Sequence, residues 1–180
     1  MFFRKLFILR GVLDGSHDFA KDLYDYMQED SIPAYMLNIN NHADFFSVIN
    51  DLSNEEDIAL HLDIHGNSDC MQFVDETIES WVDVANLLNI IRNNIRVLTM
   101  NACKGAYLLD SQTKEGIPFL DYVIASKQDI NVSEGCSRCH LFYNELYKSG
   151  NVLIAWQKFN DKGIINNSHF HIYKDGIQQP

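Results

Sequence analysis

The sequence predicts an α/β fold with a mainly parallel sheet of roughly six strands and helices on both faces. Short apolar runs alternate with amphipathic stretches along its 180 residues, as in parallel sheets covered by helices. No linker rich in Pro, Gly or Ser interrupts the chain, which predicts one domain over residues 1–180. Hydrophobic residues make up 46% of the sequence and aromatic residues 12%, a composition that excludes general disorder.

The first half of the chain contains three apolar runs and two helical patterns. Strands are predicted at residues 5–9, 34–39 and 57–64. Helices are predicted at residues 19–28 and 44–52. Ser16 would cap the first helix, because a serine side chain can accept a hydrogen bond from an early helical N–H group. Residues 70–74 predict a small hairpin.

The second half continues the alternation. Ser80 is expected to cap an amphipathic helix that carries Trp81, Val84, Leu87, Leu88 and Ile91 on its apolar stripe. Strands are predicted at residues 95–100, at 122–125 after Pro118, and at 169–173. Helical stretches are predicted around residues 141–146 and over 152–159.

Charge and the N-terminal sequence limit the classes of partner. The chain has 25 acidic and 14 basic residues, and the net charge of −11 argues against a nucleic-acid partner. No apolar run reaches membrane-spanning length, which argues against a membrane partner. The first nine residues predict a strand and lack the features of a signal peptide. We therefore expect a cytoplasmic chain with four free thiols.

Reactive side chains follow two of the predicted strands. The strand at 57–64 leads into His65 and Gly66, and the strand at 95–100 leads into the segment Asn101-Ala102-Cys103-Lys104-Gly105. The 38-residue separation of His65 and Cys103 accommodates a hairpin, a helix and a strand, as in a parallel crossover with a small insertion. If the two strands are neighbours, both loops emerge at the carboxyl edge of the sheet, where ligands bind.

A histidine and a cysteine at this edge predict thiolate chemistry. A free thiol is mostly protonated at neutral pH, so a nucleophilic cysteine needs a nearby base, and His65 would be that base for Cys103. The backbone N–H groups of Gly66 and Cys103 would form an oxyanion hole for an acyl-transfer intermediate. This chemistry requires no metal and no cofactor.

The cysteine segment resembles a known signature. Asn101-Ala102-Cys103-Lys104-Gly105 is similar to the caspase motif Gln-Ala-Cys-Arg/Gln/Gly-Gly, in which the catalytic histidine also lies upstream. His65-Gly66 resembles the His-Gly of the wider caspase-like group of metacaspases, gingipains, legumain, separase and CHAT proteases. Weaker likenesses occur at Val123-Ile124-Ala125-Ser126 and along LFYNELYKSGNVLIA, residues 141–155. The order of elements matches over residues 5–158, and small bacterial caspase-like or CHAT-type proteases are the nearest group.

The resemblance implies a caspase-like fold and a cysteine endopeptidase acting on a peptide or protein. It further implies a substrate pocket near Asp63, Asn101, Ala125 and Ser126. Asn101 replaces the caspase glutamine, and no aspartate precedes Cys103 as in metacaspases, so the residue preferred before the cut stays open. Asp63 could orient His65, form an acidic wall or face the solvent.

Other interpretations are consistent with the same residues. The fold could serve as a catalytically silent or partner-activated binding module, with an activating protein as partner, or as a flavodoxin-like binding domain. Cys103 alone could be a buried structural thiol. The string Cys136-Ser137-Arg138-Cys139-His140 has the form of a haem-attachment motif. Its two cysteines and its histidine, together with Cys70, could instead provide the four ligands of a zinc site. Its helical spacing favours core thiols instead. The segment 11–16 lacks a P-loop ending and predicts a strand-to-helix connection.

Overall fold

The structure is a computed structural model that describes residues 2–11, 18–160 and 169–180, without the side chains of Val132 and Glu134. The strands are β1 Lys5–Arg10, β2 Ala34–Asn38, β3 Ile58–Asp63, β4 His65–Gly66, β5 Cys70–Gln72, β6 Ile78–Ser80, β7 Ile95–Asn101, β8 Tyr122–Ser126, β9 Phe170–Lys174 and β10 Ile177–Gln178. The helices are α1 Phe19–Glu29, α2 His42–Leu52, α3 Trp81–Ile90, α4 Tyr107–Glu115, α5 Val132–Ser149 and α6 Val152–Phe159.

The main sheet is mixed and largely parallel, which confirms the predicted α/β class. Its seven strands follow the order β10-β9-β8-β7-β3-β1-β2. Strands β2, β1, β3, β7 and β8 pair in parallel, whereas β9 pairs antiparallel with β8 and β10 antiparallel with β9. The sheet has one strand more than the six predicted because the chain turns back after β9 to form β10. The described helices do not include one long and apolar enough to cross a membrane.

Each face of the main sheet carries its own apolar core. Residues of α2, α3 and α4, among them Phe45, Leu88 and Leu109, pack on one face. Residues of α1, α5 and α6, among them Leu23 and Phe142, pack on the other. All six residues of β3 are buried, as expected for a central parallel strand covered on both faces.

Helix boundaries follow local capping. Asp18 caps α1, because its Oδ1 atom accepts the Lys21 N–H at 3.1 Å, and the predicted cap Ser16 lies outside the described residues. Ser80 caps α3 as predicted and accepts the Asp83 N–H at 3.1 Å. Helix α2 begins two residues earlier than predicted because Asn41 provides its cap.

Two features differ from the prediction. The hairpin predicted within residues 70–74 is wider, since β5 and β6 flank a turn at residues 73–77 and join β4 in a small sheet of order β4-β5-β6. Helix α4 was not predicted. Its N-cap residue, Ala106, makes no side-chain capping bond, so the sequence carries no start signal there.

Candidate active site

The register of the central strands brings the His65 and Cys103 loops together. β3 and β7 are parallel neighbours, and Asp63 lies opposite Asn101 at their carboxyl ends. From this pair the chain continues by two residues to His65 on one strand and by two residues to Cys103 on the other. Because neighbouring strands lie about 4.8 Å apart, the two loops leave the sheet side by side.

Gly66 packs tightly against the backbone of Cys103. A Cβ atom placed on Gly66 would lie 2.6 Å from the carbonyl oxygen of Cys103, which is closer than real Cβ contacts. The same Cβ would lie 3.1 Å from Cζ2 of Trp81. Only glycine therefore permits the observed distance between the two loops.

The loop after β8 contacts Cys103 and the residue that follows it. The N–H of Ile130 donates a hydrogen bond to the half-buried Cys103 Sγ atom at 3.5 Å. The next residue, Lys104, has a left-handed backbone with φ of 57° and donates its N–H to the Gln128 carbonyl at 3.0 Å. The backbone turns sharply at the thiol, and an N–H donor is directed at sulfur, an arrangement that favours the thiolate over the thiol.

His65 lies on β4 and is exposed. The N–H of Asn67 donates to the Cys70 carbonyl at 2.9 Å, so Asn67 and Cys70 form a hydrogen-bonded pair. Antiparallel pairs alternate, and the next pair, Gly66 with Met71, therefore directs the Gly66 N–H away from β5. The Cys103 N–H has no hydrogen-bond partner among the described residues. Neither amide predicted for the oxyanion hole therefore takes part in the β4–β5 pairing.

The four residues predicted for the substrate pocket lie below the surface. Asp63 is 3% exposed and Asn101 2%, and the Asn101 Nδ2 group donates to Asp63 Oδ1 at 2.8 Å. Ala125 is fully buried, as is Ser126, which bonds to the backbone of Gln128. They do not form an open pocket wall, because Gly135 of α5 packs against Asn101 and Ala125 belongs to the core on the other face of the sheet. The solvent-facing alternative for Asp63 is wrong.

A second buried pair lies one step further down the same strands. His61 Nδ1 and the Thr99 hydroxyl are 2.6 Å apart, and Thr99 also bonds to the Tyr143 hydroxyl of α5. Burial lowers the pKa of His61 to about 3 and raises the pKa of Tyr143. Polar pairs therefore occupy alternate positions of β3 and β7 below the His65 and Cys103 loops. Sequence analysis did not predict a part for Thr99 or Tyr143 near the site, although polar residues occupy every second position at His61, Asp63 and His65.

The remaining cysteines are remote from this chemistry. Cys136 and Cys139 belong to α5, and their side chains are buried in the core, which confirms the interpretation as core thiols. Burial raises the pKa of the Cys136 thiol to about 12 and also raises that of Cys139. His140 contacts Asp30, with Nε2 and Oδ2 2.9 Å apart. No group of three metal-ligand side chains occurs in the described part of the chain, so the proposed zinc ligands do not come together there.

Comparison of the chain with protein-family models and with curated protein sequences found no match. The chemistry of the site must therefore be argued from its geometry.

Proposed function

We propose that the chain is a caspase-like cysteine endopeptidase that cuts peptide bonds with Cys103 as nucleophile and His65 as base. The contact of Gly66 with the Cys103 carbonyl is the main support, because it holds a histidine loop against a cysteine loop at paired strand ends. The free thiols of all four cysteines support a reducing, cytoplasmic location as part of this proposal.

The proposed reaction has two steps. His65 accepts the Cys103 proton, sulfur attacks the scissile carbonyl carbon, and His65 returns the proton to the leaving amine as the C–N bond breaks. Water then attacks the thioester, with His65 accepting its proton, and releases the carboxylic acid and the Cys103 thiol. The Gly66 and Cys103 amides would stabilise the oxyanion in both steps.

The environment of Cys103 differs from that of the α5 cysteines. Cys103 is half-buried beside a loop and receives the Ile130 N–H, whereas burial raises the pKa values of Cys136 and Cys139. The reactive form of a cysteine is its thiolate. Alkylation of the native protein should therefore favour Cys103.

Site-resolved alkylation with iodoacetamide tests the pair. We expect Cys103 to react at least about tenfold faster than Cys136 near neutral pH, and His65→Ala to slow Cys103 specifically. His42→Ala removes another exposed histidine and is the matched control. Equal rates for Cys103 in the wild type and in His65→Ala would show that the pair is wrong.

A peptide library then tests the reaction. The wild-type chain is expected to cleave peptides, and Cys103→Ala to abolish cleavage while retaining the fold, as seen by circular dichroism. Cleavage by Cys103→Ala at the wild-type rate would contradict a nucleophilic role for Cys103.

The burial of the predicted pocket residues favours a second candidate, a partner-activated module with the same fold. The two cavities that we describe, of about 530 and 610 Å³, lie beside β2 and beside the C-terminus, and neither is lined by His65 or Cys103. A closed site would still show alkylation of Cys103 that depends on His65, but no peptide cleavage by the isolated chain. Cleavage by the isolated chain would remove the need for an activating partner.

A further inference from the structure

The His65 hairpin, residues 65–72, is a small element for a catalytic base. β4 has two residues and β5 three, and residues 67–69 of the turn are exposed. β6 adds only a third short strand beside β5, and so small a sheet needs packing against a helix for stability. Contacts from outside the hairpin must therefore fix the position of His65 relative to Cys103.

Trp81 supplies such contacts from the first residue of α3. Its backbone N–H, a helix N-terminal donor without an intrahelical partner, donates to the Asp69 carbonyl at 3.2 Å. Its indole N–H donates to the Asn67 carbonyl at 2.8 Å. The residue is 1% exposed, so the donor end of the indole bond is shielded from water. One residue thus holds two carbonyl groups of the turn.

The Asn67 side chain fixes the same turn from within. Its Oδ1 atom accepts the N–H of Asp69 at 2.7 Å and that of Cys70 at 3.0 Å. This Asx turn determines where the Asn67 carbonyl points, and therefore how it meets the Trp81 indole.

Gly66 lies between the Trp81 ring and Cys103. A Cβ atom on Gly66 would lie 3.1 Å from the ring and 2.6 Å from the Cys103 carbonyl oxygen, so the ring, Gly66 and Cys103 are packed in succession. Loss of the ring or of its hydrogen bond would allow the His65 hairpin to move away from Cys103. Proton transfer between thiol and imidazole requires hydrogen-bond distance, directly or through one water molecule.

We propose that Trp81 is a positioning residue that holds the His65 hairpin against Cys103 through Asn67 and Gly66. This inference rests on the proposed function of His65 and Cys103. Trp81 takes no part in bond making, and its effect is transmitted entirely through the hairpin.

The pH dependence of Cys103 alkylation by iodoacetamide tests the proposal. Trp81→Phe keeps an aromatic ring but removes the indole N–H, and Asn67→Ala removes the Asx turn at an exposed position. Both should lower the rate near neutral pH about tenfold and give a pH profile like that of His65→Ala, because His65 no longer lies within reach of the thiol. Asn67→Asp keeps an accepting oxygen and should stay within about twofold of the wild type.

Trp156→Phe, in α6 on the opposite face of the sheet, controls for a general loss of stability and should keep the wild-type profile. A wild-type profile in both Trp81→Phe and Asn67→Ala would overturn the positioning role and leave the proposed function intact. A wild-type profile in His65→Ala would instead overturn the proposed function itself, and the positioning role with it.

Discussion

Gly66 has no Cβ atom, and both the packing of the two loops and the proposed chemistry depend on this. Its backbone lies between Trp81 and Cys103, with no space for a Cβ on the Cys103 side. A substitution there must move either the His65 loop or the Cys103 loop. We therefore expect it to change both the reactivity of Cys103 and the stability of the fold.

Gly66→Ala tests this relation. We expect the added methyl group to cost about 1–3 kcal/mol of unfolding free energy through overpacking and to lower the Cys103 alkylation rate about tenfold or more. Gly116→Ala is the matched control, since it places alanine at a left-handed position, φ of 67°, with no atom within 4 Å of the new Cβ. That control should lose stability but keep the wild-type rate. Equal rates in the two variants would contradict the proposed contact.

At the scale of elements, α5 determines what lies beneath the site. A Cβ on Gly135 would lie 2.2 Å from Asn101 Oδ1 and 3.2 Å from Cζ of Phe170. Asn101 Oδ1 is buried and has no hydrogen-bond partner among the described residues. The close approach of α5 thus buries the pair formed by Asn101 and Asp63.

Gly135→Ala should therefore destabilise the protein although alanine favours helices. The intrinsic gain of about 1 kcal/mol is outweighed by overpacking of about 1–3 kcal/mol together with displacement of the buried Asn101. Urea unfolding measures the difference, with Ser137→Ala at an exposed position of α5 as control. An unfolding free energy at or above that of the wild type would show that α5 can move away from β7 without cost.

The sequence predicted the elements whose signals are local. The central strands carried continuous apolar runs, and Ser80 marked the start of α3, so these elements were found within one or two residues. Helix α4 lacks a cap, and β10 has two residues, so neither had a comparable local signal. The adjacency of the His65 and Cys103 loops was predicted on the condition that their strands are neighbours, and the pairing of β3 with β7 fulfils that condition.

The burial of the predicted pocket residues was not foreseen, because it depends on tertiary packing. Asp63 and Asn101 are polar residues at strand ends, a position that favours exposure when taken alone. Gly135, 34 residues after Asn101 in sequence, permits α5 to cover them. No sequence pattern within a single strand or helix predicts that Asp63 pairs with Asn101. The same is true of the packing of Gly135 against this pair.

For the whole molecule, the buried His61 should couple global stability to pH. Its pKa is about 3 in the folded chain, against an ordinary value of 6.5. Below about pH 6.5 the unfolded chain binds a proton that the native chain does not, so the unfolding free energy falls as the pH decreases. The contribution of this one group changes by at most about 1.4 kcal/mol per pH unit and extends down to about pH 3.

His61→Gln removes this titration while keeping a polar side chain opposite Thr99, and it should cost stability at neutral pH because the ring packing is lost. Its unfolding free energy should fall less steeply than that of the wild type between about pH 6.5 and pH 4.5, so the two curves converge as the pH decreases. Ser137→Ala, which removes no titratable group from an exposed position, should run parallel to the wild type. Parallel curves for His61→Gln and the wild type in urea unfolding would mean that His61 becomes protonated in the folded chain, and that the polar pairs beneath the site admit a charge.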